Sequence, residues 1–220
     1  MLNTEEMLQE AKTKLSSGQL DGHGLFCVYD DLGEIVKARP IMEAFKLFRE
    51  GLKSDANKTS SLSGAYRILK EIATAKPVLR KQVMETFRQA LKSDKNDDSS
   101  LTDAYFALGE IIKIRPRSEY NAEGGISQIE QADKNPVLET FKEALESDKN
   151  NRFSLCAAST VLENIIEDKP ELGPEIFTLI RETLQSGKNG QEASVNDGGT
   201  LQKLSLYNLL QLKAKMQKQK

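Results

Sequence analysis

The side chains able to do acid–base, nucleophilic or metal chemistry are few in this chain. His23 is the single histidine among 220 residues, so it is the one ordinary imidazole base near neutral pH. It is expected in a glycine-flanked turn, Asp21-Gly22-His23-Gly24, where a polar loop residue belongs in any case. No motif sets a serine, cysteine or acid beside it for nucleophilic work. Cys27 and Cys156 fall far apart in helical patterns without a CxxC partner. They are expected to be partly buried structural thiols, not a disulfide, a zinc site or a nucleophile. Two acidic series recur at fixed register: Glu34, Glu71 and Glu110, and Asp55, Asp94 and Asp148. One aspartate per recurrence keeps those carboxylates too far apart to share a calcium ion, while the glutamates could be imagined as paired carboxylates or a metal ladder. The glutamates are expected to face solvent and to pair with Lys or Arg of a neighbouring unit, each pair contributing about 0–1 kcal/mol. The aspartates are expected in turns. Enzyme activity, a cofactor and a metal are therefore not expected.

These residues are positioned by an internal repeat. Leu91 to Pro116 reads LKSDKNDDSSLTDAYFALGEIIKIRP. Stretches of the same length run from Leu52 to Pro77, from Leu145 to Pro170 and, more loosely, from Leu15 to Pro40. In each, a second Leu falls 10 residues after the anchor Leu and the Pro falls 25 after it. Apolar residues at 0, −4 and −7 from the anchor form one helical stripe, as in Phe45, Phe48 and Leu52. The spacing predicts first helices over about 4–16, 41–54, 78–93, 136–147 and 174–186. Cations at −3, among them Arg49, Arg88 and Lys142, mark a solvated outer face. The connection Ser-Asp-x-Asn at 54–57, 93–96 and 147–150 is expected to bend the chain through Asx-turns and left-handed residues. Ser60 or Ser61, and Ser99 or Ser100, are expected to N-cap the next helix.

Second helices are expected over about 24–38, 61–75, 100–114 and 154–168, with inward positions at +10, +13, +14, +17, +20 and +21. Leu32, Leu69, Leu108 and Leu162 occupy +17. Tyr29, Tyr66 and Tyr105 occupy +14, with Ser159 in the fourth copy. A proline preceded by Lys or Arg ends each one, by steric exclusion and by the helix dipole. The result is one all-α array over 1–220, of four to five stacked hairpins at 37–39-residue pitch, with no β-sheet. Its units are about 4–40, 41–77, 78–116, 136–170 and 171–216, the last closed by a final helix over about 200–216. Polar insertions fall at about 117–135 and 187–199, and a basic tail at 213–220.

A helical hairpin of this length resembles HEAT or armadillo-like repeats. The closest match is D-K-N-D from Asp94 followed by A-Y-F-A-L-G-E-I at 104–111, with the Leu-Gly-x-Ile ending also at 32–35. The connection is longer than the HEAT pattern and lacks its early basic residue. A tetratricopeptide-like register fits less well, because its pitch would be 34. Either resemblance implies an α-solenoid, and the HEAT-like one implies that the second helices line its concave side.

Net charge is −2, from 31 basic and 33 acidic residues. That balance argues against a dedicated nucleic-acid binder, which concentrates Lys and Arg to displace counterions. The start, MLNTEEMLQEAKTKL, has neither a signal-peptide core nor an anchor, and no stretch has 18 uninterrupted apolar residues. A cytoplasmic, reducing setting is the expectation, with export as a bacterial effector left open. Function is expected on the outward ridge of the second helices, at +11, +15, +18 and +22, where the copies differ. There lie Phe26, Asp30, Gly33 and Lys37, then Ser63, Arg67, Lys70 and Thr74. Thr102, Phe106, Gly109 and Lys113 follow, then Cys156, Thr160, Glu163 and Glu167. The expected partner is a protein or peptide, with Phe106 as an apolar anchor among Arg67, Lys70 and Lys113. Asp30, Lys37, Thr160 and Glu163 complete the candidate surface. The rival readings are a HEAT-like nucleic-acid-binding or lyase-type enzyme and a structural or homo-oligomerisation module.

Overall fold

The 3.6-residue periodicity of the Leu, Ile and Phe positions is realised as helix throughout the computed structural model, which describes residues 4–38, 42–114 and 134–185. Among them are nine α-helices and no strand. They are α1 (Thr4–Ser16), α2 (Gly22–Ala38), α3 (Met42–Leu52), α4 (Thr59–Ala75), α5 (Arg80–Leu91), α6 (Asp98–Lys113), α7 (Lys134–Leu145), α8 (Arg152–Asp168) and α9 (Gly173–Gln185). Every helix expected in these ranges is present, within two residues at most ends. One-turn 3-10 helices, Pro77–Leu79 and Pro170–Leu172, follow α4 and α8. The final helix over 200–216, most of the 117–135 insertion, the 187–199 insertion and the 213–220 tail lie outside the described residues.

Helices α2, α4, α6 and α8 lie side by side in chain order, and α1, α3, α5, α7 and α9 form a second layer. The layers meet through one continuous apolar cluster. Between layers α2 packs equally on α1 and α3, while α4 and α6 pack chiefly on the first helix that follows each, α5 and α7. The reason is visible in the tyrosines. Tyr29 stacks on Phe48 with ring centroids 4.7 Å apart, Tyr66 meets Phe87 at 4.8 Å, and Tyr105 meets Phe141 at 5.2 Å. Each pair crosses from one copy of the repeat into the next.

The same tyrosines end in a repeated polar lock. Tyr29, Tyr66 and Tyr105 donate to Oδ1 of Asn57, Asn96 and Asn150 at 2.9, 2.9 and 2.7 Å. Each asparagine Nδ2 donates back to carbonyls at the end of the first helix before it. For Asn96 these are Ala90 at 2.8 Å, Leu91 at 3.2 Å and Ser93 at 3.1 Å. Ser61, Ser100 and Ser154 add hydroxyl donors to the same Oδ1 atoms. The Asn of Ser-Asp-x-Asn is thus a side-chain cap for orphan helix carbonyls. Among the described residues no non-glycine residue adopts a left-handed conformation, and Gly18 alone has a positive φ, of 64°. The expected left-handed turns are therefore replaced by asparagine bridging.

The N-caps also shift. Asp97 and Asn151 are the caps of α6 and α8, each accepting from two backbone N–H groups. Lys58 takes the position before α4. Ser61, Ser100 and Ser154 stand three residues on, where their hydroxyls accept from the backbone N–H of residues 58, 97 and 151. They supply the reciprocal half of a capping box, not the cap itself. Burial works to raise the Asp97 pKa, but the bonds from Ser100, Thr59 and Ser99 outweigh it and hold the carboxyl below its usual range.

Burial pushes the hydroxyls of Tyr29, Tyr66 and Tyr105 well above the usual value of 10, against the opposing pull of their asparagine bonds. In the unfolded chain these groups ionise near pH 10. Their contribution is whole below that pH and is lost as pH rises toward the folded-state values. The urea midpoint is therefore expected to fall steeply above about pH 10. Tyrosinate absorbance from these three should appear together with loss of helical circular dichroism. Their ionisation near pH 10 in a chain that stays folded would contradict the buried locks.

Candidate functional site

Side-by-side packing of the second helices decides which ridge positions reach solvent. At +15, Asp30, Arg67, Phe106 and Thr160 are exposed. At +22, Lys37 and Lys113 are half-buried, while Thr74 and Glu167 are exposed. At +18, Lys70 and Glu163 are half-buried, but Gly33 and Gly109 are buried. This corrects their assignment to the outer ridge. A Cβ at Gly33 would collide with Ile68, and one at Gly109 with Val161. Glycine at +18 lets a branched residue at +16 of the next helix seat against the backbone.

The α4–α6 junction reverses that arrangement. There +18 is Lys70 and the facing +16 is Ala107, so no branched side chain fills the seam. Six residues before Lys70 on α4, Phe26 of α2 lies across Gly64, where a Cβ would meet its ring. A groove of about 440 Å³ opens at this place. Small residues, Ser60, Ser63, Gly64 and Ala107, line it between two aromatic walls, Phe26 and Phe106. Arg67, Lys70, Asp103 and Glu110 complete the lining. Phe106 is 49% exposed, which is high for an aromatic side chain.

The structure therefore brings Phe26, Ser63, Arg67, Lys70 and Phe106 of the expected ridge together and leaves Asp30, Lys37, Lys113, Thr160 and Glu163 outside the groove lining. Arg67 stands over the Phe26 ring, 5.3 Å from its centroid, with Asp30 at 3.7 Å. Lys37 bridges Glu34 at 2.5 Å and Glu71 at 3.1 Å. Lys113 reaches Glu110 at 3.6 Å and Asp168 at 3.0 Å. Hydrogen bonding to these acids raises the pKa of both lysines. Lys37–Glu71 and Lys113–Asp168 thus tie neighbouring second helices together; of the +19 glutamates Glu71 crosses between helices, while Glu34 and Glu110 pair with the lysine of their own helix. Thr160 and Glu163 lie on α8, beyond the groove. Burial, with Glu167 nearby, raises the Glu163 pKa.

The first-helix face carries a second set of ties. Arg49 donates to Thr86 at 3.1 Å and to Glu85 at 3.0 Å, and Arg88 to Thr140 and Glu139, both at 2.9 Å. Lys142 reaches Glu182 at 2.6 Å. Arg49, Arg88 and Lys142 of the −3 series are therefore clips between successive first helices, not simply a solvated face.

Cys27 and Cys156 are exposed, contrary to the expected partial burial. His23 lies in the first turn of α2, not in the expected loop turn, and its Nε2 is 3.9 Å from Cys27 Sγ one helical turn on. Among the described residues no group of three or more His, Cys, Asp or Glu side chains is placed to hold a metal ion. No described helix is long and apolar enough to cross a membrane. No protein-family model matches this chain, and no curated protein or solved structure does.

Proposed function

We propose that the chain is an α-solenoid of HEAT- or armadillo-like hairpins that serves as a non-enzymatic scaffold for a protein or peptide partner. Support for the architecture comes from the two helix layers in chain order and from the identical Tyr–Asn bridges between successive copies. A solenoid uses the variable residues of one ridge to select its partner, because the core positions are held alike in each copy. The observation that carries the docking reading is the groove itself. It sets two aromatic walls over a small-residue floor, with Arg67 and Lys70 at its edge. Partly exposed aromatics and arginines are the common energetic centres of protein interfaces.

Affinity capture with the intact chain identifies a partner, and titration of the purified partner then tests the site. Phe106→Ala is expected to weaken that complex by about 30-fold, the loss of one aromatic hot spot. Protection from hydrogen exchange should appear over 60–70 and 103–110 on binding. Unchanged affinity in Phe106→Ala combined with Lys70→Glu would show that the partner uses another face.

A further inference from the structure

Four charged side chains line the groove, and two already have partners. Arg67 faces Asp30, and Glu110 faces Lys113. Lys70 and Asp103 have no ion pair or side-chain hydrogen bond among the described residues, although Lys37 and Lys113 on the same ridge are each paired twice. The groove thus presents one unmatched cation and one unmatched anion.

They stand at opposite ends. Counted from their own anchors, Lys70 is at +18 and Asp103 at +12, so six residues separate them along the helix direction. That is about 9 Å at 1.5 Å per residue. Adjacent packed helices add about 9 Å across, giving a diagonal of about 13 Å. Phe26 and Phe106 flank the space between.

We infer that the groove takes an extended peptide segment carrying a basic, an apolar and an acidic residue at alternate positions. The basic residue faces Asp103, the apolar one enters between Phe26 and Phe106, and the acidic one faces Lys70. In an extended chain alternate residues share one face, and positions i and i+4 lie about 13 Å apart. A segment with like charges at both ends would set one of them against a charge of its own sign. This rests on the docking reading and adds the chemistry of the occupant.

Four fluorescein-labelled heptapeptides test it against the intact chain by fluorescence polarisation. They share the frame Gly-X-Ser-Phe-Ser-Z-Gly, with X and Z as Lys/Glu, Glu/Lys, Lys/Lys and Glu/Glu. One mixed-sign probe is expected to bind about fivefold or more tightly than either like-sign probe, the scale of two surface charge pairs. The double variant Lys70→Glu with Asp103→Lys should transfer the preference to the other mixed-sign probe. A merely structural effect would not produce that reversal. Equal binding of all four probes overturns the inference. If that equal binding is lost in Phe106→Ala, the docking reading survives it. Absence of binding by any probe also overturns the inference, and the purified-partner titration then decides the docking reading separately.

Discussion

Asn96→Ala is expected to lower the free energy of unfolding by about 3–4 kcal/mol, through the buried polar groups it strands. Asn96 is 4% exposed. Its carbonyl oxygen accepts from Tyr66 at 2.9 Å and Ser100 at 3.1 Å, and its amide serves three carbonyls of α5 and the following turn. Alanine removes both functions and leaves the Tyr66 hydroxyl without an acceptor in a fully buried position. Each stranded buried group costs about 1–3 kcal/mol, and entry of water returns part of the sum. Asn96→Asp keeps the shape but turns both donors into acceptors against three carbonyls, so it should cost at least as much. Asp94→Ala, two residues earlier with 79% of its side chain exposed, should change stability by less than about 0.5 kcal/mol. Urea titration decides the matter, read as a lower midpoint at unchanged slope. Equal effects of Asn96→Ala and Asp94→Ala would remove the lock from the account of stability.

That lock shows what was and was not legible in the residues. The Tyr at +14 and the Asn of Ser-Asp-x-Asn both repeat, so each was visible as a fixed position. Reading within one copy placed Tyr66 in a core and Asn57 in a turn. The hydrogen bond instead runs from Tyr66 to Asn96, in the following copy. Periodicity assigns a residue to a face of its own helix; it does not name the residue opposite on another. The same limit explains Gly33 and Gly109. At 100° per residue +18 falls among the outward positions, yet helices lying side by side bury that flank. Arg67, Lys70 and Phe106 were legible as a ridge because their register is correct. The groove was not, because it depends on Ala107 facing Lys70 where Ile68 faces Gly33 and Val161 faces Gly109. Gly64 and Asp103 could have been found by comparing facing positions between copies, not equivalent positions within them; Phe26 was already on the ridge.

The glycine seams themselves carry the second large effect. Gly109→Leu is expected to destabilise the chain by about 3 kcal/mol, the upper part of the range for overpacking a filled site. Val161 is 4% exposed and already occupies the place a Cβ would take. Its β-branched side chain has little rotamer freedom within a helix with which to move aside. Gly109→Ala is a finer probe, because two terms oppose. Alanine gains about 1 kcal/mol of helix propensity over glycine, while the collision with Val161 costs about 1–3 kcal/mol. The single variant should therefore lie between neutral and about 2 kcal/mol destabilising. Val161→Ala alone leaves a cavity and costs about 2 kcal/mol. In the double variant each change relieves the other: the new methyl group enters the space the valine vacated, and the propensity gain is kept. The double-mutant cycle should show a favourable coupling of about 1 kcal/mol or more. Strict additivity would mean that α6 and α8 separate freely at this seam. A favourable coupling would identify glycine as the residue that lets these two helices approach, and its replacement by Lys70 on α4 as one reason the neighbouring seam stands open.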